Sequence, residues 1–157
     1  MPRQVPVILF LAAVSAAAQK YAGPRPAKPD VPYMLHATNL VETEVAEAKE
    51  EKLKDEIRYL VSGAASTART PLASPVFVIQ AEKIVPEKLQ LYKLESKGGQ
   101  REITFSRKKK DSGRPIRFAV SRLDDRLYRI EVDESLELGE YSLTPDGSNQ
   151  VFCFQVY

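Results

Sequence analysis

The sequence has no tryptophan, a single cysteine and a single histidine. Each scarcity removes a class of chemistry. A lone Cys153 cannot form an internal disulfide, so the fold must rest on its core, with the thiol buried as a small hydrophobe. Zinc sites take several His or Cys ligands, more than His36 and Cys153 supply. Nucleophilic catalysis usually sets a His beside the nucleophile. Here His36 stands beside a proline-rich stretch, and no Gly-x-Ser-x-Gly elbow exists. Paired carboxylates serve glycosidases, but the missing Trp argues against a sugar cleft. Asp146-Gly147-Ser148-Asn149 lacks the spaced ligands and final Glu of a calcium loop. Asp124-Asp125 suits turn chemistry better than catalysis. No glycine-rich phosphate cradle is present. The expectation is a non-enzyme without catalytic residues, cofactor or metal.

Long apolar runs are missing too. None reaches the ~20 residues that cross a bilayer. The longest, residues 5–14, follows Met1-Pro2-Arg3-Gln4 and leads into Ser15-Ala16-Ala17-Ala18. A short positive start, a brief apolar stretch and small residues at its end make a secretory signal peptide. Residues 1–18 are therefore expected to be cleaved, leaving a secreted protein, periplasmic or extracellular, with no membrane span. No Cys stands directly after the apolar run, which argues against a lipid anchor. The net charge of +2 names no partner.

What remains is organised as a leader and one domain. Residues 19–32 carry a proline every two or three positions from Pro24 onward. Proline blocks helix and ladder hydrogen bonds, so this leader is expected to be extended or disordered. Residues 33–157 read as a single domain of short strands.

Residues 33–37 make a first strand. Residues 40–62 are ambiguous: Glu, Ala and Lys favour helix in the middle, whereas residues 56–62 alternate and favour strand. The expectation is a hairpin of residues 40–47 against 56–62 with a charged tip at 49–55; a short helix is the alternative. Residues 63–75 are a loop of small residues with Arg69 as its only charge. Residues 76–81 form a buried strand. Three hairpins follow, turning at Gly98-Gly99, at Asp124-Asp125 and at residues 145–149. Ile116, Phe118 and Val120 share one face, as do Tyr128, Ile130 and Val132, opposite Arg117, Arg129 and Glu131. That is the pattern of an antiparallel sheet with one wet face. The core is expected from Phe77, Ile79, Leu91, Ile103, Phe105, Phe118, Val120, Ile130, Val132, Leu143, Phe152 and Phe154.

Gly139-Glu140-Tyr141-Ser142-Leu143 resembles the corner motif of immunoglobulin-like sandwiches, and the chain resembles bacterial secreted domains of that type. The resemblance implies that the Tyr141 hydroxyl bonds back to upstream backbone and that Leu143 enters the core. Leu143 stands where antibody domains carry Cys. The fold class expected is therefore all-β, an immunoglobulin-like antiparallel β-sandwich of about seven to nine strands.

A fold of this kind does not name a function. The expectation is a binding or interaction module of the cell envelope. Candidate ligand contacts are Arg69 in the loop and the basic run Arg107, Lys108, Lys109, Lys110 and Arg114. The run suits another envelope protein, an anionic glycan or an anionic lipid; a secreted address argues against nucleic acid. The alternatives are an assembly component associating through sheet edges and a small carboxylate hydrolase.

Overall fold

The computed structural model describes residues 20–110 and 112–157. The expected signal peptide, residues 1–18, and the mature start at Gln19 lie outside the described residues. From Lys20 to Pro32 the leader forms no regular strand or helix, as its prolines require. It is tied to the domain nonetheless. Asp30 accepts hydrogen bonds from three successive amides, Glu82, Lys83 and Ile84, at 2.9, 2.9 and 3.0 Å. Arg25 pairs with Asp124, and Lys28 with Glu42.

The domain is an all-β sandwich. One sheet holds β1 (Tyr33–His36), β2 (Asn39–Glu42), β7 (Val76–Gln80), β10 (Phe118–Asp124) and β11 (Leu127–Val132), in the order β10-β11-β7-β1-β2. The other holds β3 (Glu44–Glu47), β4 (Lys49–Lys52), β5 (Glu56–Ser62), β8 (Gln90–Lys97), β9 (Gln100–Ser106), β12 (Gly139–Thr144) and β13 (Gln150–Val156). Its order is β3-β13-β12-β8-β9-β5-β4, and the short β6 (Arg69–Thr70) runs parallel to the end of β13. The thirteen strands among the described residues exceed the expected seven to nine because short pieces count separately. Residues 39–52 alone supply three strands as the chain passes from one sheet to the other.

Local sequence explains the hairpins. Gly98 and Gly99 take φ of +61° and +76° between β8 and β9, a left-handed pair that glycine reaches without a Cβ clash. β10 and β11 set Phe118 opposite Val132 and Val120 opposite Ile130, so their apolar faces coincide.

Between the sheets lies the main core. Met34, Phe77, Ile79 and Ile130 of the first sheet pack with Leu91, Tyr141, Leu143, Phe152 and Phe154 of the second. The Phe154 ring meets Phe77 edge-on at 5.1 Å and stacks on Tyr141 at 5.5 Å. Such pairs add about 0.5–1.5 kcal/mol each beyond the area they bury. The Tyr141 hydroxyl donates to the Glu137 carbonyl at 2.8 Å, four residues upstream, which pins the entry into β12.

Two expectations are corrected here. Residues 56–62 do pair in a hairpin, but with Lys49–Lys52 rather than with residues 40–47. β2 goes to β1 and β3 to β13 instead. No α-helix forms among the described residues. The helix preference of Glu, Ala and Lys is a weak local bias, and pairing on both sides of this segment overrides it. Ile103 and Phe105 also leave the expected core. They turn away from the first sheet, into a second interior.

That second interior follows from the strand order. β3 and β4 stand at opposite ends of the larger sheet, yet only Ala48 separates them in the chain. The sheet therefore curls until its ends meet at Ala48. The Ala48 amide extends the β3–β13 ladder to Asn149 at 2.8 Å, while Lys49 begins the ladder with β5 opposite Leu60. Ala48, Val61, Leu94, Val151 and Cys153 consequently form one cluster although they come from widely separated strands of that sheet. Small Ala46 and Ala48 let the seam pass without crowding the interior.

Candidate functional site

The inside of the curled sheet has a polar end, an apolar middle and an opening. Arg101 closes the polar end. It alternates with Ile103 and Phe105 on β9, so all three side chains point inward. Its guanidinium is fully buried and binds Glu44 through two parallel hydrogen bonds of 2.9 and 3.0 Å. It also donates to the carbonyls of Ser62, at 2.6 Å, and Gly63, at 3.0 Å. Gly63 adopts a φ of +90°, a left-handed turn suited to glycine, at the start of the loop that covers this end. The loop adds two amide donors, Thr67 to Glu44 and Ser66 to Glu140. Glu140 Oε2 is buried and meets no hydrogen-bond partner among the described residues.

Electrostatics follows from this packing. Burial works against the Glu44 charge, but the hydrogen bonds from Arg101, Ser66 and Thr67 outweigh it and hold its carboxyl below the ordinary 4.5. Burial likewise opposes the Arg101 charge, and Glu44 reverses that effect. Nearby, burial pushes the Cys153 thiol up to about 12, which keeps it protonated and unreactive.

The middle is a cavity of about 150 Å³ walled by Tyr59, Val61, Leu94, Ile103, Phe105 and Val151 among others. At its rim the Phe105 ring meets Tyr59 edge-on at 5.8 Å and Tyr92 at 5.4 Å. Burial also raises the Tyr92 hydroxyl, which stays protonated and donates to Gln90.

The opening lies between β8 and β9. Their ladder runs only over Glu95–Glu102, Ser96–Arg101 and Lys97–Gln100, and the strands splay apart beyond it. The split forms the floor of an outer groove of about 650 Å³ flanked by Arg58, Lys93, Glu95, Glu102 and Thr104. Leu94 and Ile103 line both groove and cavity, so the two spaces adjoin.

The structure does not bring the candidate ligand contacts together. Arg69 stacks over the Tyr157 ring at 4.1 Å and donates to Gln155 at 2.7 Å, so its guanidinium is occupied within the chain. Arg107, Lys108, Lys109, Lys110 and Arg114 lie on the link from β9 to β10. Lys108 pairs with Asp55 at 3.1 Å, and Lys109 borders the groove. Arg114 lines a separate surface hollow with Arg117, Asp133 and Glu134. His36 contacts the Thr70 hydroxyl at 2.8 Å. Among the described residues, no group of three His, Cys, Asp or Glu side chains is placed to hold a metal ion.

Sequence reasoning missed both the cavity and the Arg101–Glu44 pair. One signal was present: Arg101 interrupts an otherwise apolar alternating face at Ile103 and Phe105. Nothing local marks Glu44 as its partner. Comparison with protein-family models, with curated proteins and with solved structures finds no match for this chain.

Proposed function

We propose that the chain is an exported, non-catalytic binding module whose ligand site is the interior of the curled sheet. The observation that carries this reading is the apolar cavity adjoining an open split in its own wall. An apolar-walled space of that size accepts a group about as large as benzene. A fold selected only for stability gains by filling such a space, since each unfilled methyl-sized void costs about 1 kcal/mol. Export rests on the signal-peptide pattern of residues 1–18. The absence of catalysis rests on the meagre set of nucleophiles and bases. Association through sheet edges is the weaker reading, because curling brings the ends of the larger sheet together and leaves β2 and β10 as the edges of the smaller one.

Toluene titration followed by methyl NMR tests the site. Saturating toluene should shift the methyl signals of Val61, Leu94, Ile103 and Val151. Ala48→Phe, which projects a ring into the same space, should abolish those shifts. Unchanged methyl signals at saturation would overturn the proposal.

A further inference from the structure

We infer that the split between β8 and β9 receives an extended peptide segment from a partner protein, which completes the wall and places one apolar side chain in the cavity. The inference rests on the binding-module reading and names its ligand.

Backbone groups along a strand point alternately to its two neighbours. On β8 the Leu91 carbonyl accepts from the Ile116 amide at 2.8 Å, and Glu95 sits opposite Glu102 of β9. Lys93, midway between them, thus aims its own N–H and C=O into the split. On β9 the Arg107 amide bonds to Asp55, toward β5. Ser106, next to it, therefore faces the split, and so does Thr104 two residues before.

The chain itself caps the wide end of the split. The Ser112 hydroxyl accepts from the Ser106 amide at 2.7 Å and donates to the Ser106 carbonyl at 3.1 Å. Ile116 does the same service for Leu91. Between these caps and the Glu95–Glu102 pair, Lys93 and Thr104 face each other without a ladder. Continuing the register would pair them, but the strands have separated.

A short extended segment fits this arrangement. Its backbone would bond to Lys93 on one side and to Thr104 on the other, antiparallel to one strand and parallel to the other. Side chains alternate along a strand, so a neighbouring residue would point inward, between Leu94 and Ile103. The cavity behind them admits one ring-sized side chain. Outward side chains would meet Arg58, Lys93, Glu95 and Glu102, a mixed-charge border suited to small polar residues. Strand addition of this kind draws affinity from main-chain bonds and specificity from the pocket for the inward side chain. Beyond the cavity the interior is filled by the Arg101–Glu44 pair and buried Cys153, so a long acyl chain finds no passage.

The probe is the peptide acetyl-Thr-Ser-Phe-Ser-Thr-amide, compared with its Phe-to-Ala form and with a backbone N-methylated form. The Phe peptide should bind at least about ten-fold more tightly than the Ala form. It should slow amide exchange at Lys93 and Thr104, and N-methylation should abolish both effects. Thr104→Pro removes the amide that faces the split while leaving the β5 ladder intact. That variant should lose peptide binding yet still take up toluene. If toluene enters but the Phe peptide leaves Lys93 and Thr104 unprotected, the inference falls and the binding-module reading stands. If neither enters, both fall. Protection of Lys93 and Thr104 that grows with protein concentration alone would mean that a second copy fills the split, and would also overturn the inference.

Discussion

Arg101 of β9 and Glu44 of β3 grip each other across the inside of the curled sheet through two hydrogen bonds of 2.9 and 3.0 Å. They lie 57 residues apart in the chain. β3 and β9 are not neighbours in the sheet, so the pair acts as a strut between opposite walls. Arg101 also holds the start of the covering loop through Ser62 and Gly63. One side chain thus links the seam strand, the β5 end and the covering loop.

Removing one half of the strut should be costly. Arg101→Met leaves the largely buried Glu44 beside buried Glu140 without its counter-ion, and breaking a fully buried pair in this way costs about 3–5 kcal/mol, the upper bound here. Arg101→Met with Glu44→Met should recover much of that loss, because the unpaired charge goes with its partner. Urea denaturation of both variants measures the difference. A single-site loss below about 1 kcal/mol, typical of exposed pairs, would show that the strut does little for stability.

Acid should weaken the fold through the same residue. The folded Glu44 carboxyl titrates below its ordinary 4.5. A depressed folded value means that its stabilisation is complete above the unfolded value and is lost as pH falls through the folded one. Stability should therefore decline below about pH 4.5. Asp30, held below 3.8 by three amide donors despite some burial, should extend the decline further down. Glu44→Gln should flatten the upper part of this profile. Thermal melting from pH 3 to 7 reads it directly, and an unchanged slope in the variant would assign the acid sensitivity elsewhere.

The Tyr141 hydroxyl offers a narrower test. Tyr141→Phe keeps the stack on Phe154 and removes only the hydrogen bond to the Glu137 carbonyl. The expected cost is about 0.5–1.5 kcal/mol. Amide exchange should rise at the start of β12 while the Phe77–Phe154 contact persists.

Cys153 should be silent until the domain opens. With its thiol pushed up to about 12 and no exposed surface, it should resist a disulfide reagent at pH 8 in the native protein. The reaction should appear in urea at the unfolding midpoint. Fast labelling in the native state would mean that the interior of the curled sheet opens readily.

The hairpins were legible in the residues because their cause is local. Glycine at a left-handed turn and alternation with a period of two act over a few positions. They set β8 against β9, β10 against β11 and β12 against β13, together with the shared faces of Phe118, Val120, Ile130 and Val132. The corner at Gly139 and Tyr141 was legible for the same reason, since the bond from Tyr141 spans four residues. The anchoring of the leader was not. Asp30 reads as one more polar residue among prolines until the amides of Glu82, Lys83 and Ile84 converge on it.

The remaining features depend on distance in the chain. Residues 42–56 carry helix-favouring composition, and only pairing with β1, β13 and β5 makes strands of this segment. Ala48 has nothing in its neighbourhood to mark it as the seam of a curled sheet. The partner of Arg101, the apolar cavity and the split between β8 and β9 all follow from that closure. Local propensity and periodicity specify the hairpin strands and which of their faces are apolar. Closure sums many weak pairings between distant segments, so it belongs to the assembled sheet, and the candidate site belongs to it too.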